Sequence, residues 1–153
     1  MRSLPVRGMK MRLHELIYVS MATREMSLTD LTALLDQSRE KNTRLNITGL
    51  LVYHKMEFMQ LLEGRREDIF ELYDTICRDE RNKQNHLLWD GPIAQRSFAD
   101  WSMAFITSDD ISLESYPAYS TFLQQGLSQY AMSTPKTMGK SLLVSLRDDF
   151  LRA

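Results

Sequence analysis

Short runs rich in apolar residues, typical of β-strands, occur in five stretches of the chain. Residues 13–19 form the first stretch. Residues 46–54 and 57–63 form two more, and the short connection between them predicts a hairpin. Two further strands are predicted near 86–94 and 101–107. Successive side chains of each strand should point to opposite faces of a sheet.

Helical spacing of apolar residues separates these strands in two places. The sequence Ser27-Leu-Thr-Asp30 matches a capping box and predicts a helix that begins there and runs to about Lys41. A second helix is predicted from about Glu67 to Asp79. The order is β-α-β-β-α-β plus a fifth strand. This is an α+β, ferredoxin-like plan with both helices on one face of the sheet.

The chain is predicted to have three parts. Residues 1–11 form a flexible tail, residues 12–107 form the folded domain, and residues 108–153 form an extension. The extension has helical patterns over 112–127 and 138–151. A sheet with both helices on one side leaves its other face to be buried, so two C-terminal helices are predicted to cover that face.

Composition narrows the functional classes. A net charge of -1 gives no general attraction to nucleic acid, and no apolar run is long enough to span a membrane. The one cysteine, Cys77, excludes an internal disulfide and favours a reducing, cytoplasmic compartment. The 3 histidines lack ligand spacing, so no metal site is predicted. The sequence contains no glycine-rich phosphate loop and suggests no hydrolytic triad.

Two polar residues on apolar strand faces mark a candidate site. Gln60 shares a face with Phe58 and Leu62, and a buried amide left unpaired costs about 1–3 kcal/mol. The spacing alone supports two roles for Gln60 equally well: a core residue bonded to backbone, or a ligand-binding residue. Tyr18 lies on the Leu16 face of the first strand, where tyrosine is common without any special role.

Polar residues also end the apolar stripes of the two helices. Ser38 and Asn42 end the first stripe, and Asp79 ends the second. Such residues either reach water at a helix terminus or line the polar mouth of an apolar cleft, which is the usual form of a small-molecule site.

Six segments resemble the BLUF family, sensors of blue light using FAD. They lie in the family's order and read Leu-Ile-Tyr18-Val-Ser, Ser38-Arg-Glu-Lys-Asn42, Asn46-Ile-Thr-Gly-Leu-Leu-Val-Tyr53, Phe58-Met-Gln60-Leu-Leu-Glu-Gly64, Asp79-Glu-Arg81 and Phe98-Ala-Asp-Trp101-Ser-Met103. The resemblance implies a blue-light photoreceptor, not an enzyme, with flavin held between the two helices.

The resemblance also implies residue roles. Tyr18 is the light-driven electron and proton donor, and Gln60 lies between its hydroxyl and the N5/O4 edge of the flavin. Asn42 bonds the O4/N3 edge. The polar periphery consists of Ser38, Lys41, Asp79 and Arg81. The residues that sandwich the ring are Leu34, Phe58, Leu62 and Ile76.

Trp101 and Met103 lie two residues apart on the fifth strand, so they face the same way. The resemblance makes them the residues that relay the signal, with Met103 also contacting the cofactor. Two positions depart from the family pattern. Asn82 stands where many members have histidine, and Thr75 stands where some have a basic residue, so the phosphate contacts need another Lys or Arg.

Two other functions compete with light sensing. One is a non-photochemical ligand-binding or interaction module on the same fold, and the other is an acylphosphatase-like hydrolase using Arg81 and Asn42. A reversible red shift in blue light separates light sensing from both. The residues outside the domain are too few for an output domain, so we expect a homo-oligomer or a separate regulatory protein to receive the signal.

Overall fold

The computed structural model describes residues 12–99, 104–107, 137–139 and 141. Its elements, in chain order, are β1 (Leu13–Ala22), α1 (Leu28–Leu45), β2 (Thr48–His54), β3 (Glu57–Arg65), α2 (Arg66–Cys77), β4 (Asn82–Ile93) and β5 (Ala104–Thr107). The sheet order is β4-β1-β3-β2-β5. β5 runs parallel to β2, and the other pairs are antiparallel. The predicted α+β, ferredoxin-like fold with a fifth strand is confirmed.

The first helix begins where its sequence predicts and ends later. Ser27 accepts a hydrogen bond from the backbone N–H of Asp30, and the Asp30 carboxylate accepts one from the backbone N–H of Ser27. The helix continues past Lys41 because Asn46 adopts a left-handed conformation with φ of 58° and closes its last turn.

The second helix is shorter than predicted, and Asp79 does not extend its stripe. The helix ends at Cys77, with Arg78 as its C-cap. The side-chain amide of Asn82 donates to the backbone carbonyls of Ile76 and Asp79. Asn82 therefore caps the helix, and Asp79 lies on the turn that follows it.

The two faces of the sheet carry different residues. We call the face against α1 and α2 the helix face. Leu16, Tyr18, Leu51 and Leu62 pack there against Leu31, Leu35, Ile69 and Leu72 of the helices. The opposite face, which we call the back face, carries the odd-numbered residues of β1 and β3, and Ile17, Met59 and Leu61 are fully buried there. The alternation read from the sequence therefore assigns both faces correctly.

The back face is covered in part by the C-terminal extension. We call residues 137–139 and 141 the Thr137 turn. Its Thr137 hydroxyl and Gly139 N–H both donate to the Glu15 carboxylate on that face. The rest of the two predicted C-terminal helices and the predicted N-terminal tail lie outside the described residues.

A buried carboxylate on the back face should make stability depend on pH. Burial raises the pKa of Glu63, and hydrogen bonds from Ser97, Phe98 and Thr48 oppose that rise. Because the folded pKa lies above the unfolded value of about 4.3, the contribution of Glu63 is full below that value. It is lost as the pH rises through the folded pKa. The stability of the wild type relative to Glu63→Gln should therefore be greatest near pH ~4 and fall as the pH rises.

Denaturant unfolding of both proteins across this pH range measures the difference between their unfolding free energies. The contributions of the other titrating groups cancel in that difference. Glu67→Gln is the matched control. The hydrogen bond from Arg65 lowers the pKa of Glu67, so its trend should have the opposite sign. A wild-type advantage that grows with pH at Glu63 would contradict the assignment.

Candidate functional site

A cavity lies between the two helices and the helix face of the sheet, and three parts of the chain line it. The sheet contributes Tyr18, Ser20, Leu51, Phe58 and Gln60. The first helix contributes Leu34, Gln37, Ser38, Lys41 and Asn42. The second helix and the turn after it contribute Leu72, Thr75, Ile76, Asp79, Arg81 and Asn82.

Tyr18 and Gln60 meet in the floor of this cavity. They are direct cross-strand partners in the β1–β3 register. The Tyr18 hydroxyl donates to Gln60 Oε1 at 2.5 Å. The Gln60 carbonyl therefore faces the tyrosine, which leaves the amide nitrogen as the end that can donate elsewhere.

The environment keeps Tyr18 in its neutral form. Burial raises the pKa of Tyr18 far above its usual value, and the nearby Tyr73 adds to the rise. The two rings pack with centroids 5.1 Å apart and an interplanar angle of 50°. Tyr18 is thus a protonated phenol that is already hydrogen-bonded to an acceptor, as a donor of a proton requires.

Ser20 was not among the site residues predicted from the sequence, and it is a strong candidate for ligand binding. Its Oγ is buried, lies in the cavity wall and has no hydrogen-bond partner among the described residues. A buried hydroxyl without a partner is costly, so the position calls for a ligand or solvent group. The available signal was the two-residue spacing from Tyr18, which places both side chains on the helix face.

Ser20→Ala gives a test of this group that separates ligand binding from folding. Removing a hydroxyl that has no partner among the described residues should leave the unfolding free energy unchanged or higher in protein without FAD, the cofactor that the resemblance implies. The same change should weaken FAD binding about fivefold or more, since one hydrogen bond contributes about 1 kcal/mol. Calorimetric titration and denaturant unfolding measure the two effects. A loss of stability with unchanged FAD affinity would assign Ser20 a purely structural role.

An ion pair lies beside the cavity, and its arginine also ties the first helix to the turn after the second. The Arg81 guanidinium donates to Asp79 at 2.6 Å and to Gln37 Oε1 of α1 at 3.1 Å. The hydrogen bonds from Arg81 lower the pKa of Asp79. Asp79 is therefore ionised, and Arg81 is placed at the rim of the cavity.

The two departures from the family pattern have structural roles here. Asn82 caps the second helix, as described above. The Thr75 hydroxyl donates to the backbone carbonyl of Glu71, one turn earlier in its helix. Both residues line the cavity, but in these hydrogen bonds their side chains donate to backbone carbonyls of the second helix and the turn after it.

The structure brings together ten of the residues that the resemblance placed around the flavin. Leu62 is not among them, because it is fully buried in the core and does not line the cavity. Leu62 pairs with Leu16, two residues along the strands from the Tyr18–Gln60 pair. It packs in the core between the sheet and the helices. Trp101 and Met103 lie outside the described residues.

These residues fit a flavin ring. The ring needs flat apolar contacts on its faces and hydrogen-bonding groups at its polar edge. Leu34, Phe58 and Ile76 supply apolar surface, and Gln60 and Asn42 are buried polar side chains beside it. The unpartnered Ser20 hydroxyl is a further group that such a ligand would satisfy. Among the described residues, no group of three or more His, Cys, Asp or Glu side chains could hold a metal ion.

The chain resembles known proteins along most of its described length. A family model, BLUF, described as sensors of blue-light using FAD, matches residues 13–104. The photoactivated adenylate cyclase subunit beta of Euglena longa is 36% identical over 119 residues, which cover 77% of this chain and 13% of that protein. The blue light- and temperature-regulated antirepressor BluF of Escherichia coli (strain K12) is 30% identical over 67 residues, which cover 44% of this chain and 17% of that protein.

Solved structures are also similar to this chain. The dark state of BlrB, a BLUF protein, has a TM-score of 0.63 at 28% identity and covers 80% of this chain and 94% of BlrB. Photo-activated BlsA has a TM-score of 0.64 at 27% identity and covers 92% of this chain and 96% of BlsA.

The fold and the tyrosine–glutamine pair thus define a flavin-dependent photosensor domain. The chain belongs to the BLUF family, and its cofactor is FAD. It is a blue-light photoreceptor domain. No helix of the described part of the chain is long and apolar enough to cross a membrane.

Proposed function

We propose that Tyr18 and Gln60 are the pair that converts absorbed blue light into a change of hydrogen bonding. The observation that carries this assignment is the hydrogen bond from the Tyr18 hydroxyl to Gln60 Oε1, in the wall of a cavity suited to flavin. Both side chains are buried, so their protons exchange with each other and with a ligand more readily than with bulk water.

Residues on both helices and the sheet hold FAD in this proposal. Leu34, Phe58 and Ile76 pack on the ring, and Asn42 and Ser20 hydrogen-bond its polar edge. At the mouth, Ser38, Lys41 and Arg81 bind the ribityl and phosphate groups. Asp79 supports this arrangement by holding the Arg81 guanidinium in place.

The chemistry divides between cofactor and protein. FAD, when bound, absorbs blue light and becomes a strong acceptor for one electron. Tyr18 gives up that electron, which makes its hydroxyl strongly acidic, and Gln60 Oε1 is the atom placed to receive the proton. Gln60 then rotates or tautomerises, because an amide offers a donor at one end and an acceptor at the other. Its exchanged ends keep the changed hydrogen bonds after an electron and a proton have returned to Tyr18.

Visible spectroscopy tests the function directly. The full chain saturated with FAD should show a red-shifted flavin absorption under blue light that reverses in darkness. An FAD-bound protein whose spectrum does not respond to blue light would reject the proposal and favour a ligand-binding module without photochemistry.

Asn42→Ala should weaken FAD binding more than it weakens the fold. Asn42 is buried on α1 beside the cavity, and the loss of a buried polar contact costs about 1–3 kcal/mol, or about 5- to 150-fold in affinity. Fluorescence titration with FAD measures the change. Thr43→Ala is the matched control, since Thr43 is exposed on the same helix. Equal affinities in the two variants would remove Asn42 from the site.

We infer that the signal leaves the domain through protein contacts. Residues 12–107 are the sensor in this proposal, and 108–153 transmit its state to a second copy of the chain or to a separate regulatory protein. Trp101 and Met103 on the predicted fifth strand are one candidate route. A cytoplasmic location is supported by the exposed free thiol of Cys77, which persists in a reducing compartment. Size measurements in darkness and light test the change of assembly.

A further inference from the structure

Two buried carboxylates lie side by side on the back face. Glu15 of β1 and Glu63 of β3 are direct cross-strand partners, and their side chains are 1% and 0% exposed. They stand three residues along the same two strands from Tyr18 and Gln60, which is about 10 Å. The photochemistry proposed above does not use either carboxylate.

Each carboxylate holds a different segment. Glu63 accepts hydrogen bonds from the backbone N–H groups of Ser97 and Phe98, at 2.6 and 2.9 Å, in the segment between β4 and β5. Glu15 accepts from the Thr137 hydroxyl and the Gly139 N–H, both at 2.6 Å, in the Thr137 turn. The sheet therefore has two separate carboxylate anchors, one for the segment before β5 and one for the Thr137 turn.

Glu15 is also bonded to β4, the strand that pairs with β1 on the side away from β3. The Trp89 indole N–H of β4 donates to Glu15 Oε2 at 3.1 Å. The indole reaches this position by lying across Gly91, where an added Cβ would be 2.5 Å from the ring. The Gly139 N–H donates to the same Oε2 atom, so one oxygen serves both the strand and the Thr137 turn.

The β1–β4 pairing is irregular at the point where it passes Tyr18. Ile17 pairs with Trp89, but Tyr18 pairs with Leu87, so Leu88 is an extra residue in β4. A bulge of this kind interrupts the hydrogen-bond ladder and re-aims the neighbouring side chains. Trp89 is the residue next to the bulge, so its indole is attached where the β1–β4 pairing beside Tyr18 is irregular.

We propose that the Trp89–Glu15 contact is a light-sensitive latch that holds the Thr137 turn on the back face in darkness and releases it in light. The inference rests on the proposed photochemistry of Tyr18 and Gln60. When that pair rearranges, the bulge moves the Trp89 indole away from Glu15 Oε2. The carboxylate then loses one of the three donors that the described residues give it and holds the Gly139 N–H less firmly. Hydrogen bonds to charged groups are strong enough for such a change to alter the opening of a short segment by about tenfold.

Amide hydrogen exchange, measured by NMR on the FAD-bound full chain in darkness and in steady blue light, tests the latch. The Gly139 N–H should exchange about tenfold faster in light. The Ser97 N–H, held by Glu63 on the same pair of strands, is the matched internal control and should change less than about twofold. Trp89→Phe should keep the red shift but show the faster Gly139 exchange in both conditions. Gly91→Ala, which pushes the indole from its place, should do the same.

The outcomes separate this proposal from the photochemistry. A normal red shift with unchanged Gly139 exchange overturns the latch and leaves the proposed function intact. Faster exchange at Ser97 without a change at Gly139 overturns it in favour of the route through the segment before β5. Equal acceleration at both sites also overturns it, because that indicates a general loosening of the sheet. Absence of any red shift rejects the proposed function, and the latch with it.

Discussion

Tyr18→Phe should bind FAD and remain yellow but form no red-shifted state in blue light. Phenylalanine keeps the ring in the floor of the cavity and its packing on Tyr73. It removes the hydroxyl that donates to Gln60 Oε1, and with it the proton that must follow the electron. The lost hydrogen bond should cost the fold only about 0.5–1.5 kcal/mol. Light-minus-dark absorption spectra of the FAD-loaded variant measure the effect.

Tyr73→Phe is the control for this result. Its ring packs on that of Tyr18, but it does not line the cavity or contact Gln60 in the proposed relay. It should keep the red shift. If Tyr18→Phe formed a normal red-shifted state, the donor would be another residue, and the proposed role of Tyr18 would be lost.

Gln60→Leu should also bind FAD without forming the red-shifted state. Leucine is close to glutamine in size, so the packing in β3 should tolerate it. The variant has no amide to accept the Tyr18 proton or to exchange donor and acceptor ends. It also leaves the Tyr18 hydroxyl without its acceptor, which should destabilise the protein by about 1–3 kcal/mol. Absorption spectra under illumination and denaturant unfolding measure the two effects.

Gln95→Leu, at an exposed position before Arg96, is the matched control for the same chemical change. It should leave the photocycle and FAD binding as they are in the wild type. Failure of Gln60→Leu to bind FAD at all would indicate that Gln60 mainly shapes the cavity. A retained red shift would remove it from the relay.

Local patterns in the sequence determined the element order and the assignment of the sheet faces. Strand alternation and helical spacing depend on residues a few positions apart, so one sequence carries them completely. The same is true of the capping box at Ser27, which begins the first helix as predicted. The order of the six family segments identified the flavin-sensing class, and Tyr18 and Gln60 within it, before any coordinates.

Long-range register, by contrast, was decided only in the folded chain. Tyr18 and Gln60 become partners because the β1–β3 register aligns residues that are 42 positions apart. In the turn between β2 and β3, Lys55 and Met56 have φ of 47° and 70°. Turns with positive φ at both central residues usually have the sequence Asn-Gly. The rest of the sheet imposes this turn, so its own sequence does not reveal it.

The most specific features of the molecule arise from such distant pairings. The unpartnered hydroxyl of Ser20, the opposed carboxylates of Glu15 and Glu63, and the contact from Trp89 to Glu15 each need two or more segments in place. The sequence determined which side chains were available and on which face each would lie. The tertiary structure alone decided which of them meet, because hydrogen bonds across a sheet depend on register and bulges that no local pattern encodes.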